Sequence, residues 1–197
     1  VIFTIANFKG GVAKTTTAVH IATYLQLNAD TVLIDSDPNR SASGWAKRGE
    51  LPFRVIDERQ AAKFVPKYQH VVIDTQARPT PEDLEALAEG CDLLILPSTP
   101  DALSLDALIQ TVGILKKLGT DQFKILLTVV PPHPSKDEQE ARATLNEMGL
   151  PLFKGNIRRL VAFQKAALAG VPVYEVSDPK ARTAWEDYKQ IGKELGI

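Results

Sequence analysis

The residues with the strongest chemical character lie near the start of the chain. Lys9-Gly10-Gly11-Val12-Ala13-Lys14-Thr15-Thr16 follows the apolar run Val1-Ile2-Phe3-Thr4-Ile5 and leads into a stretch with helical patterning, 15–28. A strand that feeds a glycine-rich turn and then a helix suits phosphate binding. Successive backbone N–H groups and the helix N-terminus meet negative charge without bulk. Gly10 and Gly11 permit close approach and positive φ, Lys14 is placed to reach β- and γ-phosphates, and Thr15 to ligate Mg²⁺. The generic pattern G-x-x-x-x-G-K-[ST] is not met, because Phe8 and Ala13 occupy its glycine positions. The plain alternative is a Gly-Gly turn before a helix that happens to contain Lys-Thr.

Acids elsewhere weigh against that alternative. Asp35 and Asp37 follow the apolar run Thr31-Val32-Leu33-Ile34 and precede Pro38. Acids at i and i+2 at a strand end point the same way, so two carboxylates can address one Mg²⁺–water cluster. An Asx-type turn and helix cap over Asp37-Pro38-Asn39-Arg40-Ser41 is the competing reading. Asp74 ends a third apolar run, Val71-Val72-Ile73, where a capping role is again the simpler alternative.

These residues need a scaffold that brings them together. The runs at 1–5, 31–34, 71–73, 93–96 and 125–130 are apolar on both faces, as parallel strands covered by helices require. Helix-like segments at 15–28, 81–89, 102–118 and 135–148 are long enough to cross over between parallel strands. Pro81-Glu82-Asp83 reads as a helix start, and Gly119 and Gly149 as stops. Two further helices are expected over 158–169 and 179–195. The pattern predicts one doubly wound α/β domain over residues 1–197, with a mostly parallel sheet and helices on both faces. In such sheets ligands sit beyond the carboxyl ends of the strands, where the loop, Asp35, Asp37 and Asp74 would converge.

Composition narrows the class. The net charge is −1, so attraction to a polyanion must come from a local patch. Residues 151–197 hold 8 Lys and Arg against 5 Asp and Glu, and the stretch containing Lys154, Arg158, Arg159 and Lys165 has no acids. A solvated helix face explains that stretch equally well. The one cysteine, Cys91, leaves no intrachain disulfide and no thiolate cluster, which fits a reducing, cytoplasmic setting. No apolar run reaches the roughly 18 residues of a membrane span. Because the sequence opens inside its first strand, no N-terminal accessory domain is expected.

Lys9-Gly10-Gly11-Val12-Ala13-Lys14-Thr15-Thr16 resembles the deviant phosphate loop, K-G-G-x-G-K-T-T, of the ParA/MinD family of P-loop ATPases. Lys9 stands at the position of that family's signature lysine, which reaches the partner's phosphates across a nucleotide-sandwich dimer. Asp35-Ser36-Asp37-Pro38-Asn39 resembles the family's D-x-D-P-Q segment. By that resemblance Asp37 orients the attacking water and Asp35 supports Mg²⁺. Asp74-Thr75-Gln76-Ala77 is similar to the family's second acidic strand end, implying that Asp74 holds a Mg²⁺-bound water. The resemblance extends to Asn156-Ile157-Arg158-Arg159, Gly170-Val171-Pro172-Val173 and Asp178-Pro179-Lys180, and it places Val130-Pro131-Pro132 at the adenine pocket. Ala13 departs from the family's glycine. A negative φ is expected there, because a positive one would cost roughly 1–2 kcal/mol for a residue with a Cβ.

The resemblance implies an ATP- and Mg²⁺-dependent hydrolase of ParA type, nucleoid-associated in the cytoplasm. It would dimerise with ATP, bind DNA non-specifically, and move a plasmid, chromosome or protein assembly such as a bacterial microcompartment with a ParB-like adaptor. Lys154, Arg158, Arg159 and Lys165 are the candidate DNA contacts, with the dimer interface as an alternative for the two arginines. A MinD-like membrane ATPase would need a basic amphipathic tail. The stripe Trp185, Tyr188, Ile191, Leu195 instead carries a mixed polar face and reads as a core-packed helix. A metabolic ligase on the same scaffold would turn over a small substrate without DNA.

Overall fold

The structure, a computed structural model, describes residues 1–77, 79–131 and 136–197. Pro132, His133 and the first residue of the helix expected over 135–148 lie outside the described residues. Six strands, β1 (Ile2–Asn7), β2 (Thr31–Ser36), β3 (Arg54–Asp57), β4 (His70–Ala77), β5 (Leu93–Ser98) and β6 (Phe123–Leu127), form one sheet in the order β3-β2-β4-β1-β5-β6. Every pairing in it is parallel. The expected α/β class holds, and the sheet is wholly parallel rather than mostly so.

Alternation along the strands explains why the runs are apolar throughout. Phe3, Ile5, Leu33, Val72, Ile95 and Leu126 pack on one face against α1 (Lys14–Gln26), α2 (Ser41–Arg48), α7 (Val161–Ala169) and α8 (Ala181–Glu194). Their neighbours Leu94, Leu96, Ile125 and Leu127 pack on the other face against α4 (Pro81–Glu89), α5 (Ala102–Lys117) and α6 (Lys136–Glu147). A third cluster, Val32, Ile34, Ile56, Phe64 and Val71, sits under the short helix α3 (Ala61–Phe64). Each strand except β3 therefore buries both faces, which an alternating polar pattern would forbid. α4 begins with a capping box between Thr80 and Asp83 and has Pro81 in its first turn. Gly119 and Gly149 follow α5 and α6 at φ +74° and +66°.

Three parts of the chain differ from expectation. The segment carrying β3, α2 and α3 shows little periodicity, because β3 buries only Ile56 fully and α2 only Ala42 and Trp45. The strand expected over 125–130 ends at Leu127, and Val129 takes φ +54°, a conformation that β-branched side chains rarely adopt. The helix expected from residue 158 starts at Val161, because Ile157 N–H donates to Leu127 O (2.9 Å) and Arg159 N–H to Val130 O (2.7 Å). Arg158 and Arg159 thus run extended beside the end of β6. The tail stripe is core: Tyr188 and Ile191 in α8 are fully buried.

Candidate functional site

Strand register sets the site. Asp74 on β4 is the direct neighbour of both Ile5 on β1 and Asp35 on β2. The start of the glycine-rich loop and two of the acids are thereby fixed at one level at the carboxyl edge of the sheet. Buried polar side chains then shape the loop. Asn7 Nδ2 donates to Pro97 O (2.5 Å), and its Oδ1 accepts from Lys9 N–H (3.0 Å). The Thr128 hydroxyl donates to Val12 O (3.0 Å), tying the loop to the end of β6. Sequence reasoning did not single out Asn7 or Thr128. Asn7 carried a signal, as the polar residue that closes the first apolar run, whereas Thr128 lies inside the run expected over 125–130.

Gly11 has φ +79°, and a Cβ added to Gly10 or Gly11 would meet nothing within 4 Å. Their backbone therefore borders open space in which a phosphate can approach. Ala13 overturns the expectation of a negative φ: it caps α1 in the left-handed conformation, at φ 62° and ψ 33°. The turn requires this geometry, and the alanine bears a strain of roughly 1–2 kcal/mol that glycine would not. No side-chain oxygen caps α1, so its first-turn N–H groups are left for an anionic ligand. Lys14, buried just behind them, donates from Nζ to Lys9 O (3.1 Å). Burial lowers its pKa, while Asp74 and Asp37 oppose that shift.

The acids divide by what their oxygens do. Asp35 is fully buried and satisfied: Oδ1 accepts from Asp37 N–H (3.2 Å) and Oδ2 from Ser43 N–H (2.8 Å). It anchors its own loop and the first turn of α2. Asp37 uses Oδ1 for the backbone (2.9 Å) and side-chain amide (3.0 Å) of Asn39, which leaves Oδ2 without a partner among the described residues. Asp74 is fully buried, and neither carboxylate oxygen has a well-formed partner. Burial pushes its pKa up to about 7, against the opposing influence of the nearby Thr15 hydroxyl. A bare buried carboxylate beside a threonine hydroxyl fits a hydrated Mg²⁺. That ion takes few protein ligands and is held largely by water and phosphate.

Lys9 is held within its own chain. Its Nζ lies 3.2 Å from Asp101 Oδ1 and 2.6 Å from Ser104 Oγ at the start of α5. Although burial alone would raise it, hydrogen bonds from Thr99, Ser104 and Lys9 hold the Asp101 carboxyl well below the usual range. A cavity of about 290 Å³ adjoins the loop, walled by Ala13, Thr16, Val129, Ile157, Leu160 and Phe163. Arg158, Arg159 and Gln164 complete its lining, whose apolar part can receive an aromatic base. The strained Val129 forms part of that wall, and half-buried Pro131 follows it at the turn.

Two of the four expected DNA contacts are ion-paired within the chain. Arg158 is bound to Asp187 through Nε (3.1 and 3.0 Å), and its N–H donates to the same carboxylate (3.1 Å). Lys165 Nζ pairs with Asp178 (2.8 Å). Lys154 and Arg159 are exposed and have no ion pair among the described residues.

The fold and the loop define a P-loop nucleotide-binding domain. The chain belongs to the CobQ/CobB/MinD/ParA nucleotide binding domain family, whose model matches residues 3–173. It is 36% identical to the Maintenance of carboxysome distribution protein A of Gloeobacter kilaueensis, over 98% of this chain and 93% of that protein. Among solved structures, an ATP complex of a Cyanothece McdA variant superposes with a TM-score of 0.77 at 20% identity, covering 100% of this chain and 96% of that one. MinD of Pyrococcus horikoshii complexed with Mg-ADP gives 0.74 at 16% identity, covering 98% of this chain and 95% of that one. At those identities the two structures speak to fold alone.

Proposed function

We propose that residues 1–197 form a Mg²⁺-dependent ATPase of ParA type that positions a cargo by cycles of ATP-driven dimerisation and hydrolysis. The observation that carries this reading is the convergence at one sheet edge of the glycine loop, Lys14, the half-used Asp37 and the unpartnered Asp74. Phosphoryl transfer asks a protein mainly for positioning and charge stabilisation. Lys14 and the α1 amides bind the phosphates. Thr15 and Asp74 would hold Mg²⁺, whose contribution is to neutralise charge on the β- and γ-phosphates. Asp37, steadied by Asn39 through Oδ1, turns Oδ2 to the attacking water, and the products are ADP and inorganic phosphate.

Lys9, Gly10, Gly11, Val12, Ala13, Lys14, Thr15 and Thr16 are the nucleotide contacts, with Pro131 at the base. For Lys9 to reach a second protomer it must leave Asp101 and Ser104, so dimerisation involves opening that contact. The dimer binds DNA non-specifically, and a ParB-like adaptor on the cargo stimulates hydrolysis. The likeness to a carboxysome distribution protein favours a protein assembly of that kind over a plasmid or chromosome as cargo. A MinD-like membrane role is disfavoured, because Tyr188 and Ile191 of the α8 stripe are spent on the core.

The test is Asp37→Ala with ATP and Mg²⁺, followed by light scattering and phosphate release. The expected result is a persistent dimer with hydrolysis lost. A variant that remains monomeric with ATP, when the wild type also remains monomeric, removes the sandwich dimer from the proposal.

A further inference from the structure

Lys and Arg side chains lie on two opposite edges of the sheet, and intramolecular pairing treats the two edges differently. On the side of the last strand, two of the four cations in 154–165 are neutralised within the chain, Arg158 by Asp187 and Lys165 by Asp178. On the side of β3, the other terminal strand, three cations gather on one ring. The Arg54 guanidinium lies 4.1 Å from the Phe64 centroid, and the Lys63 and Lys67 ammonium groups lie 5.5 and 5.6 Å from it. No two of these charges can therefore be more than about 11 Å apart, a limit comparable with the Debye length of about 8–10 Å. All three residues are exposed, as is Arg59 nearby, and none has an ion pair among the described residues. The two acids of this segment do not offset them. Asp57 is bound to Arg40 Nη2 (2.8 Å), and Glu58 lines a separate cleft with Ser36, Thr75 and Gln76.

We propose that the β3 edge, through Arg54, Lys63 and Lys67, is a surface that binds the phosphate backbone of nucleic acid. This rests on the DNA-binding part of the function proposed above and assigns it to a surface. The ring holds the three charges on a fixed base, so less side-chain entropy is lost when phosphates bind. A lipid surface fits less well. The large exposed apolar side chains, such as Leu27, Leu103, Val161 and Leu168, include none from residues 54–67, and a bilayer needs apolar groups to insert. Contacts of this kind carry no sequence information.

The probe is a random-sequence DNA duplex with ATP and Mg²⁺, followed by fluorescence anisotropy across a salt series. Three proteins are compared: wild type, Lys63→Glu/Lys67→Glu, and Lys154→Glu/Lys165→Glu, each checked for an unchanged thermal melt and nucleotide affinity. The β3-edge variant is expected to bind at least tenfold more weakly, with a log–log salt slope shallower by about 2, as losing two phosphate contacts dictates. The late-stretch variant should change less. Wild-type binding with an unaltered β3-edge variant overturns this surface and leaves DNA binding standing. No wild-type binding to DNA overturns both readings, as does binding to anionic phosphatidylglycerol vesicles in place of DNA.

Discussion

Asp35 and Asp74 sit side by side toward the carboxyl ends of β2 and β4, in direct register and equally buried, yet their surroundings are opposite. Asp35 receives two backbone N–H groups and completes the turn into α2. Asp74 receives no well-formed hydrogen bond, and its pKa is driven up to about 7 by burial. A buried charge with its hydrogen bonds made is a fastener, whereas a buried charge without them costs stability that a ligand can restore. In the sequence the two look alike, each an acid closing an apolar strand, and only the chain that folds back over each one separates anchor from site.

The comparison breaks first at Asp35. Asp35→Ala strands the N–H groups of Asp37 and Ser43, and should lower stability by about 2–3 kcal/mol, read by urea denaturation of the nucleotide-free protein. A loss below ~0.5 kcal/mol would mean that the carboxylate is not the anchor described.

Arg158 and Arg159 extend the same contrast to the basic residues. Arg158→Ala leaves the buried Asp187 unpaired and, after discounting for the partial exposure of Arg158, should cost about 1–2 kcal/mol. Arg159→Ala should stay within about 0.5 kcal/mol. Equal losses in thermal melts would erase the distinction.

Asp74 should behave in the opposite sense to Asp35. Its folded pKa of about 7 lies above the ordinary 3.8. The folded state therefore holds the extra proton between those values, and stability falls as pH rises through that window. Asp74→Asn removes the ionisation, so it should stabilise the nucleotide-free protein by about 1–2 kcal/mol at pH 8. The gain should shrink as pH falls toward 4. Melting curves at pH 8, 6 and 4.5 give the answer, and a gain that grows on acidification would contradict the sign.

The smallest effect is at Ala13. Relief of its left-handed strain, partly offset by the greater freedom of glycine in the unfolded chain, leaves Ala13→Gly more stable by about 0.5–1 kcal/mol. A destabilised variant would contradict the strain.

Much of the scaffold was legible because parallel strands covered on both faces must be apolar throughout, and five such runs stood out. The same logic hid β3, an edge strand that buries Ile56 alone, and α2, whose Ser-Ala-Ser-Gly start carries no helical signal. At the site, residue types announced Lys14, Thr15, Asp37 and Asp74. The backbone angle at Ala13 could not be read in the same way, because it is set by how the loop closes on Asn7 and Thr128 rather than by the residue itself. The ion pairs of Arg158 and Lys165 were not legible either, since their partners Asp187 and Asp178 lie further along the chain. The cations on Phe64 passed unnoticed because Asp57 and Glu58 interleave with them in sequence and are turned elsewhere in space.

The central claim, that the loop and the unpartnered Asp74 together make a Mg²⁺–ATP site, is tested most directly by calorimetric titration of ATP with Mg²⁺ and with EDTA, into wild type and Asp74→Asn. The account predicts that Mg²⁺ tightens ATP binding at least tenfold in the wild type and that Asp74→Asn loses most of that gain. Equal ATP affinity with and without Mg²⁺ in the wild type, or a full Mg²⁺ effect in Asp74→Asn, would contradict it.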